Sequence, residues 1–178
     1  MSKRIVDWYR DFDLPDGLSY NNGRLKDEKG RMVYLTDGAC RNNGRRNAKA
    51  GCAFFSGLKN WNSWNDPADP PTNQTAELRA ILGAARNAIK RRERNIKILT
   101  DSKYAVDCLT LWVKDWRRKA KKNKTKTWMN ALGQPVANQG LIERILKTMK
   151  FGRLWADFGH IPREENGIAD RLAKDQIA

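Results

Sequence analysis

The chain has 178 residues, 40% of them apolar, with 35 basic and 20 acidic residues for a formal net charge of +15. That length suits one well-packed domain with a short appendage, and the charge favours a polyanionic partner, nucleic acid above others, without naming a reaction. Cys40, Cys52 and Cys108 contain no Cys-x-x-Cys pair and argue against zinc and a disulfide framework; no apolar run nears the roughly 18 residues of a membrane span. Reduced thiols fit an intracellular protein. The opening Met1, Ser2, Lys3 and Arg4, followed by Asp7, Asp11 and Asp13, is a poor secretory or mitochondrial signal.

Residues 1–30 are expected to form an N-terminal extension. Ile5, Trp8, Tyr9 and Phe12 recur at helical spacing, and Pro15, Gly17, Asn21, Asn22 and Gly23 then break regular structure. The extension is expected to pack on the main domain, a docking segment being the alternative. Residues 31–36, 50–56 and 60–65 read as three strands, with Asn43-Gly44 and Ser56-Gly57 as turn signals. The stretch 66–71, with Pro67, Pro70 and Pro71, forbids regular structure. A helix over 74–92 carries the stripe Leu78, Ile81, Leu82, Ala85, Ala88 and Ile89. A strand at 96–100, a helix at 102–111, a basic helical stretch at 112–122, a helix at 139–150, a strand at 153–158 and a helix at 165–177 complete the order. Strands first, then alternating helix and strand, predict an α/β fold: a five-stranded mixed sheet with helices on both faces, over residues 31–178.

Four carboxylates stand out. Asp37 and Asp101 each follow a Leu-Thr pair after a short β-rich run, and each precedes a small residue, Gly38 or Ser102. An aspartate there is ordinarily a turn former. Two of them on neighbouring parallel strands, however, would meet at the edge where open α/β sheets bind ligands. Glu77 borders the apolar stripe of its helix and leans toward the sheet; its plainer role is an acid in a helix first turn. Asp170 borders Ile168, Leu172 and Ala173, and its plainer role is a surface pair with Lys174. Converging acids repel unless cations sit between them, and two Mg²⁺ ions would resolve that repulsion in a phosphodiester-cleaving site.

Leu35-Thr36-Asp37-Gly38, Thr72 to Glu77, Leu99-Thr100-Asp101-Ser102, and Gly159-His160 followed by Asn166 to Asp170 together resemble the ordered motifs of type 1 ribonuclease H. The resemblance runs over about residues 31–177. It implies a ribonuclease-H-like fold and an endonuclease that hydrolyses the RNA strand of RNA–DNA hybrids, leaving 5′-phosphate and 3′-hydroxyl ends. It also implies that Asp37, Glu77, Asp101 and Asp170 hold two Mg²⁺ ions, with Mn²⁺ as a substitute, and that His160, on a loop before the last helix, assists proton transfer or product release. Asn43, Asn73 and Gln74 match positions that contact RNA sugars. Tyr104, Trp112 and Trp116 match an aromatic groove for the DNA strand, and Thr72 and Asn138 its phosphate pocket.

Residues 114–126 carry a net +7, and the basic protrusion at 112–126 resembles one that some family members have. Trp112 and Trp116, four apart, also read as a plain core stripe. The chain departs from the family in having Pro70 where an arginine usually supports the phosphate pocket, and in lacking a recognisable hybrid-binding domain at its N-terminus. A monomer is expected, with no membrane partner. An idle duplex-binding module and an integrase-like transferase of the same fold are the competing readings; four converging acids disfavour the first, and His160 with the basic protrusion disfavours the second.

Overall fold

The computed structural model describes residues 7–178. Strands β1 (Ser19–Asn21), β2 (Arg24–Lys26), β3 (Met32–Arg41), β4 (Lys49–Phe55) and β5 (Trp61–Asn65) come first, followed by helix α1 (Asn73–Lys90) and strand β6 (Asn95–Thr100). Helix α2 (Lys103–Asp107) runs through a π-helical turn at Cys108–Trp112 into α3 (Val113–Lys122); α4 (Gln139–Phe151), β7 (Trp155–His160) and α5 (Gly167–Asp175) complete the chain. Among the described residues these strands make one seven-stranded sheet. β3 pairs antiparallel with β4 and β4 with β5, while β6 lies parallel to both β3 and β7.

The centre of the sheet is apolar on both faces because both are covered. Tyr34, Phe54, Ile96 and Ile98 pack with Leu78, Ile81, Ile142 and Ile145 on the side of α1 and α4. Val33, Leu35, Phe55 and Leu99 pack with Ile168 and Leu172 of α5 on the other. Two glycines set how closely the helices approach. A Cβ on Gly38 would collide with the α1 backbone at Ala76 and Glu77, and one on Gly51 with the Ala173 carbonyl of α5. Each helix therefore rests directly on strand backbone.

Five strands were expected, and five form the centre of the sheet; two short ones come from the N-terminal segment. Asn22 and Gly23, which read as breakers, are the two loop residues of the β1–β2 hairpin and hold φ of 51° and 75°, the left-handed pair such a tight turn requires. The hairpin is short and lacks alternating apolar residues, so its signal is faint. Arg24 ties it down, donating to the Ser56 carbonyl at 3.1 Å and to Glu93 at 2.7 Å. Instead of an amphipathic helix, a 3₁₀ turn spans Asp7–Asp11, with Tyr9 buried against Phe55 and Tyr20; Ile5, the first residue of the expected stripe, lies outside the described residues.

Three further expectations change. Asp37 does not end its strand: β3 continues to Arg41, with Asp37 opposite Ala53 of β4. Only the parallel pairing with β6 stops there, at Thr36 opposite Thr100. His160 is the last residue of β7, opposite Thr100, not a loop residue. Trp116 is buried (8% exposed) and stacked on Trp128 with ring centroids 5.8 Å apart, so it belongs to the core stripe and not to an open groove. Trp112 is 40% exposed.

Truncating the two tryptophans should separate these roles. Trp116→Ala should cost about 3–5 kcal/mol, the range for deleting a large buried aromatic. Trp112→Ala should cost about 0.5–1.5 kcal/mol, the worth of an aromatic contact. Urea denaturation of both variants measures the gap, and equal losses would place Trp116 outside the core.

Candidate active site

The register of the parallel strands brings the first two acids together. Thr36, Thr100 and His160 stand in one row across β3, β6 and β7. Asp37 and Asp101, each one residue further on, therefore emerge at the same level. Glu77 arrives from the other layer. Thr72 caps α1 in a reciprocal box with Thr75, and Thr75 Oγ1 donates to Asp66 at 2.9 Å. With its first turn pinned and its backbone lying on Gly38, the helix delivers Glu77 in its second turn. Oxygens of Asp37, Glu77 and Asp101 lie within 4.8 Å of one another.

Asp37 and Glu77 are buried, and Asp101 is half-exposed. Burial, then the nearby Asp101 and Asp170 charges, push the Asp37 carboxyl up to about 8, with Arg163 pulling the other way. Burial, then Asp37 and Asp101, drive Glu77 well above the usual carboxylate range against a hydrogen bond from the Gly38 backbone. Glu77 Oε2 is buried with no hydrogen-bond partner. Desolvated carboxylates with an orphaned oxygen are costly as they stand. An oxygen-seeking divalent cation satisfies all three groups, so the donor set fits a hard metal ion.

Asp170 lines the same cavity, of about 530 Å³, as these three acids, but its carboxylate is turned to cations. Lys174 Nζ lies 2.6 Å from one oxygen and Arg163 Nη2 3.5 Å from the other. The structure thus joins three of the four expected acids and leaves the fourth at the rim, paired with Lys174. His160 is exposed, its Nε2 3.2 Å from the Asp101 carbonyl oxygen.

Asn166 has the clearest structural role that the sequence did not single out. It is fully buried, and its Nδ2 donates to the Thr36 carbonyl at 2.9 Å and to Asp101 Oδ1 at 3.3 Å. Followed by a glycine at the head of a helix, it reads as a turn residue, and only its distance in sequence from Asp101 hides its partner. Arg163 was likewise indistinguishable from an ordinary surface cation, whereas Lys174 was expected as a surface partner of Asp170 and is one.

The other expected contact residues fall in two groups, and of them Asn73 lines this cavity. Asn43 Oδ1 accepts from the Asn73 backbone N–H at 3.0 Å, tying the β3–β4 loop to the exposed first turn of α1, where Gln74 also stands. Asn138, the left-handed residue ahead of α4, donates to the Tyr104 hydroxyl at 3.1 Å. Tyr104 meets the edge of Trp112 at 6.1 Å, and Trp112 tilts against buried Trp116 at 5.9 Å. Lys114, Arg117, Arg118, Lys119, Lys121, Lys122, Lys124 and Lys126 are all exposed. Among the described residues, no helix is long and apolar enough to cross a membrane.

Known proteins share this architecture. Ribonuclease H of Schizosaccharomyces pombe is 34% identical over 81% of this chain, which spans about half (52%) of that protein's length. Ribonuclease H of Zymomonas mobilis is 30% identical, the match covering 81% of this chain and 86% of that one. Among solved structures, LC11-RNase H1 in complex with an RNA/DNA hybrid superposes with a TM-score of 0.54 at 20% identity, over 82% of this chain and 95% of that one, a likeness of fold. The RNase H family model matches residues 29–178, a span that includes every acid of the site, and the chain belongs to that family.

Proposed function

We propose that the chain is an endonuclease that hydrolyses the RNA strand of RNA–DNA hybrids, using two Mg²⁺ ions at Asp37, Glu77, Asp101 and Asp170 and leaving 5′-phosphate and 3′-hydroxyl ends. The observation that carries this reading is the clustered trio Asp37, Glu77 and Asp101 with its orphaned Glu77 oxygen; the hybrid bound to LC11-RNase H1 supports the substrate class. Bound divalent ions would supply an activated water and charge stabilisation for the leaving 3′ oxygen.

The chain's own residues do the rest. The carboxylates fix the ions while the open cavity admits a phosphodiester. Asp170 joins them by leaving Lys174. His160, exposed beside the Asp101 backbone, is placed to take or give a proton at its ring nitrogen, or to help product leave. The amides of Asn43, Asn73 and Gln74 both donate and accept, as recognition of a 2′-hydroxyl requires. Tyr104 and Trp112 face the DNA strand, with Trp116 supporting them from beneath, and Thr72 and Asn138 hold one of its phosphates. The exposed cations of α3 and the residues after it draw the duplex in.

Strand-labelled RNA–DNA, RNA–RNA and DNA–DNA duplexes, incubated with Mg²⁺ or EDTA, test the reading directly. Only the RNA of the hybrid should be cut, and only with metal. Asp101→Asn should nearly abolish cleavage while hybrid binding persists, since one ligand charge is removed and the basic surface is intact. Wild-type cleavage by Asp101→Asn would refute the assignment.

The raised Asp37 carboxyl gives a pH dependence to the metal-free protein. Between the unfolded value of about 3.9 and the folded value of about 8, the folded state holds a proton that the unfolded chain has lost. Stability in EDTA should therefore fall as pH rises through that window and level off above it. Asp37→Asn should flatten the fall, as followed by urea unfolding at a series of pH values. Superimposable profiles would mean that Asp37 is already ionised in the folded, metal-free protein.

The basic segment should act on binding and not on chemistry. Replacing Lys114, Lys121, Lys122 and Lys124 with Gln should raise the apparent KM and leave the rate at saturating substrate nearly unchanged. The salt dependence should flatten by about 0.7–0.9 in log–log slope for each lysine–phosphate pairing removed. An unchanged slope would show that the segment does not touch the nucleic acid.

A further inference from the structure

The N-terminal segment ahead of residue 29 lies outside the family match, yet it grips the helix that carries part of the site. The Phe12 ring fills the space where a Gly167 side chain would stand, in contact with the first turn of α5. Trp8 meets Phe12 edge-on with centroids 5.7 Å apart, and the Arg171 guanidinium lies 4.6 Å from the Trp8 centroid. Tyr9 anchors the segment in the core through Phe55. Further along, α5 rests on Gly51 of β4 through the Ala173 carbonyl. The helix is thus held between the sheet and an aromatic strap.

What the strap holds matters for the acids. Gly167, under Phe12, is next in sequence to Asn166, whose buried amide joins the Thr36 carbonyl to Asp101 Oδ1. Asp170 lies three residues further along the same helix, between Gly167 and the strap-bound Arg171. The Asn166–Asp101 bond, at 3.3 Å, is already beyond the usual 2.7–3.2 Å range for N–H···O bonds, so a few tenths of an ångström of outward movement would forfeit it. Removing the Phe12 ring opens space beside Gly167, into which the head of α5 can shift.

We propose that Trp8 and Phe12 are positioning residues for the carboxylate site: they set the head of α5, and through Asn166 and Asp170 they set the affinity for divalent metal. This inference rests on the reading of the acids as metal ligands. A segment added to the family domain is, in this chain, part of the support of its site.

The test measures metal binding in the full chain without substrate. Mg²⁺ or Mn²⁺ is titrated by calorimetry and by the metal-induced rise in Tm, and cleavage is followed against metal concentration in parallel. Phe12→Ala should weaken metal binding by about three- to tenfold, below the roughly 10–100-fold drop when a direct supporter of a ligand is removed. Excess metal should restore most of the rate. Phe12→Leu, which refills the space, should restore most of the affinity. Ile145→Val, in the opposite core, serves as a control that lowers Tm without altering the metal response. Trp8→Ala leaves Phe12 in place and should shift affinity in the same direction by less; it decides the matter if Phe12→Ala fails to fold. Wild-type metal affinity in a folded strap variant of lowered Tm would reduce the strap to a stability element and overturn the inference. A wild-type protein that binds no metal at all would instead overturn the reading of the acids, and the strap's role with it.

Discussion

Negative charge confined to a dry place governs this molecule. Parallel register puts Asp37 and Asp101 at one level of the sheet, and the contact of α1 with Gly38 lowers Glu77 onto them from the other layer. Two ionised carboxylates within 4.8 Å of each other repel by on the order of 3 kcal/mol or more at an effective dielectric near 20. A domain of ordinary stability holds only about 5–15 kcal/mol in total. In the metal-free protein burial and this repulsion hold the Asp37 and Glu77 carboxyls above the usual carboxylate range, and Asn166 Nδ2 donates to Asp101. The fold tolerates the cluster because two apolar cores, one on each face of the sheet, carry the stability that the site gives up.

The same separation of labour orders the surface. The acids are recessed in one cavity, while the exposed lysines and arginines of the α3 region stand away from it in sequence and on a different element. Tyr104 and Trp112 lie between, braced by a line of rings that ends in the Trp116–Trp128 stack. Arg117 lies over Trp128 at 5.7 Å, so even the cationic helix is fastened to the core by an aromatic face. Positive charge can then be concentrated on the outside without unravelling the helix that bears it.

How far the sequence revealed this depends on the range of the interaction. The apolar stripe of α1 and the runs ending in Leu-Thr-Asp are local patterns, and they located three central elements and three acids of the site. Asp37 looked terminal because Asp-Gly is a turn signal; the antiparallel partner that carries β3 on to Arg41 lies across a loop and leaves no mark beside it. Trp112 and Trp116 share a helical face on paper, yet the π-helical turn ending at Trp112 and the partner Trp128 separate one exposed ring from one buried ring. The hairpin at Asn22-Gly23 was faint because its strands are short and lack alternating apolar residues, and the bond from Asn166 to Asp101 was illegible because its partner lies far away in sequence. The i,i+4 spacing did suggest the Asp170–Lys174 pair, but no pattern showed that it would prevail while the other acids face one another.

That last pairing gives the site the character of an ion exchanger. With Lys174 and Arg163 on its two oxygens, Asp170 already carries counter-ions supplied by the protein itself. Turning the carboxylate toward an incoming cation would release both side chains at the rim of the cavity. If the proposed metal reading holds, two positive groups would then stand free at the cavity rim, and loading the acids with metal would make the entrance more attractive to a polyanion. On that reading the cation would come first and the polyanion second, because Asp170 must let go of Lys174 before the entrance gains its charge.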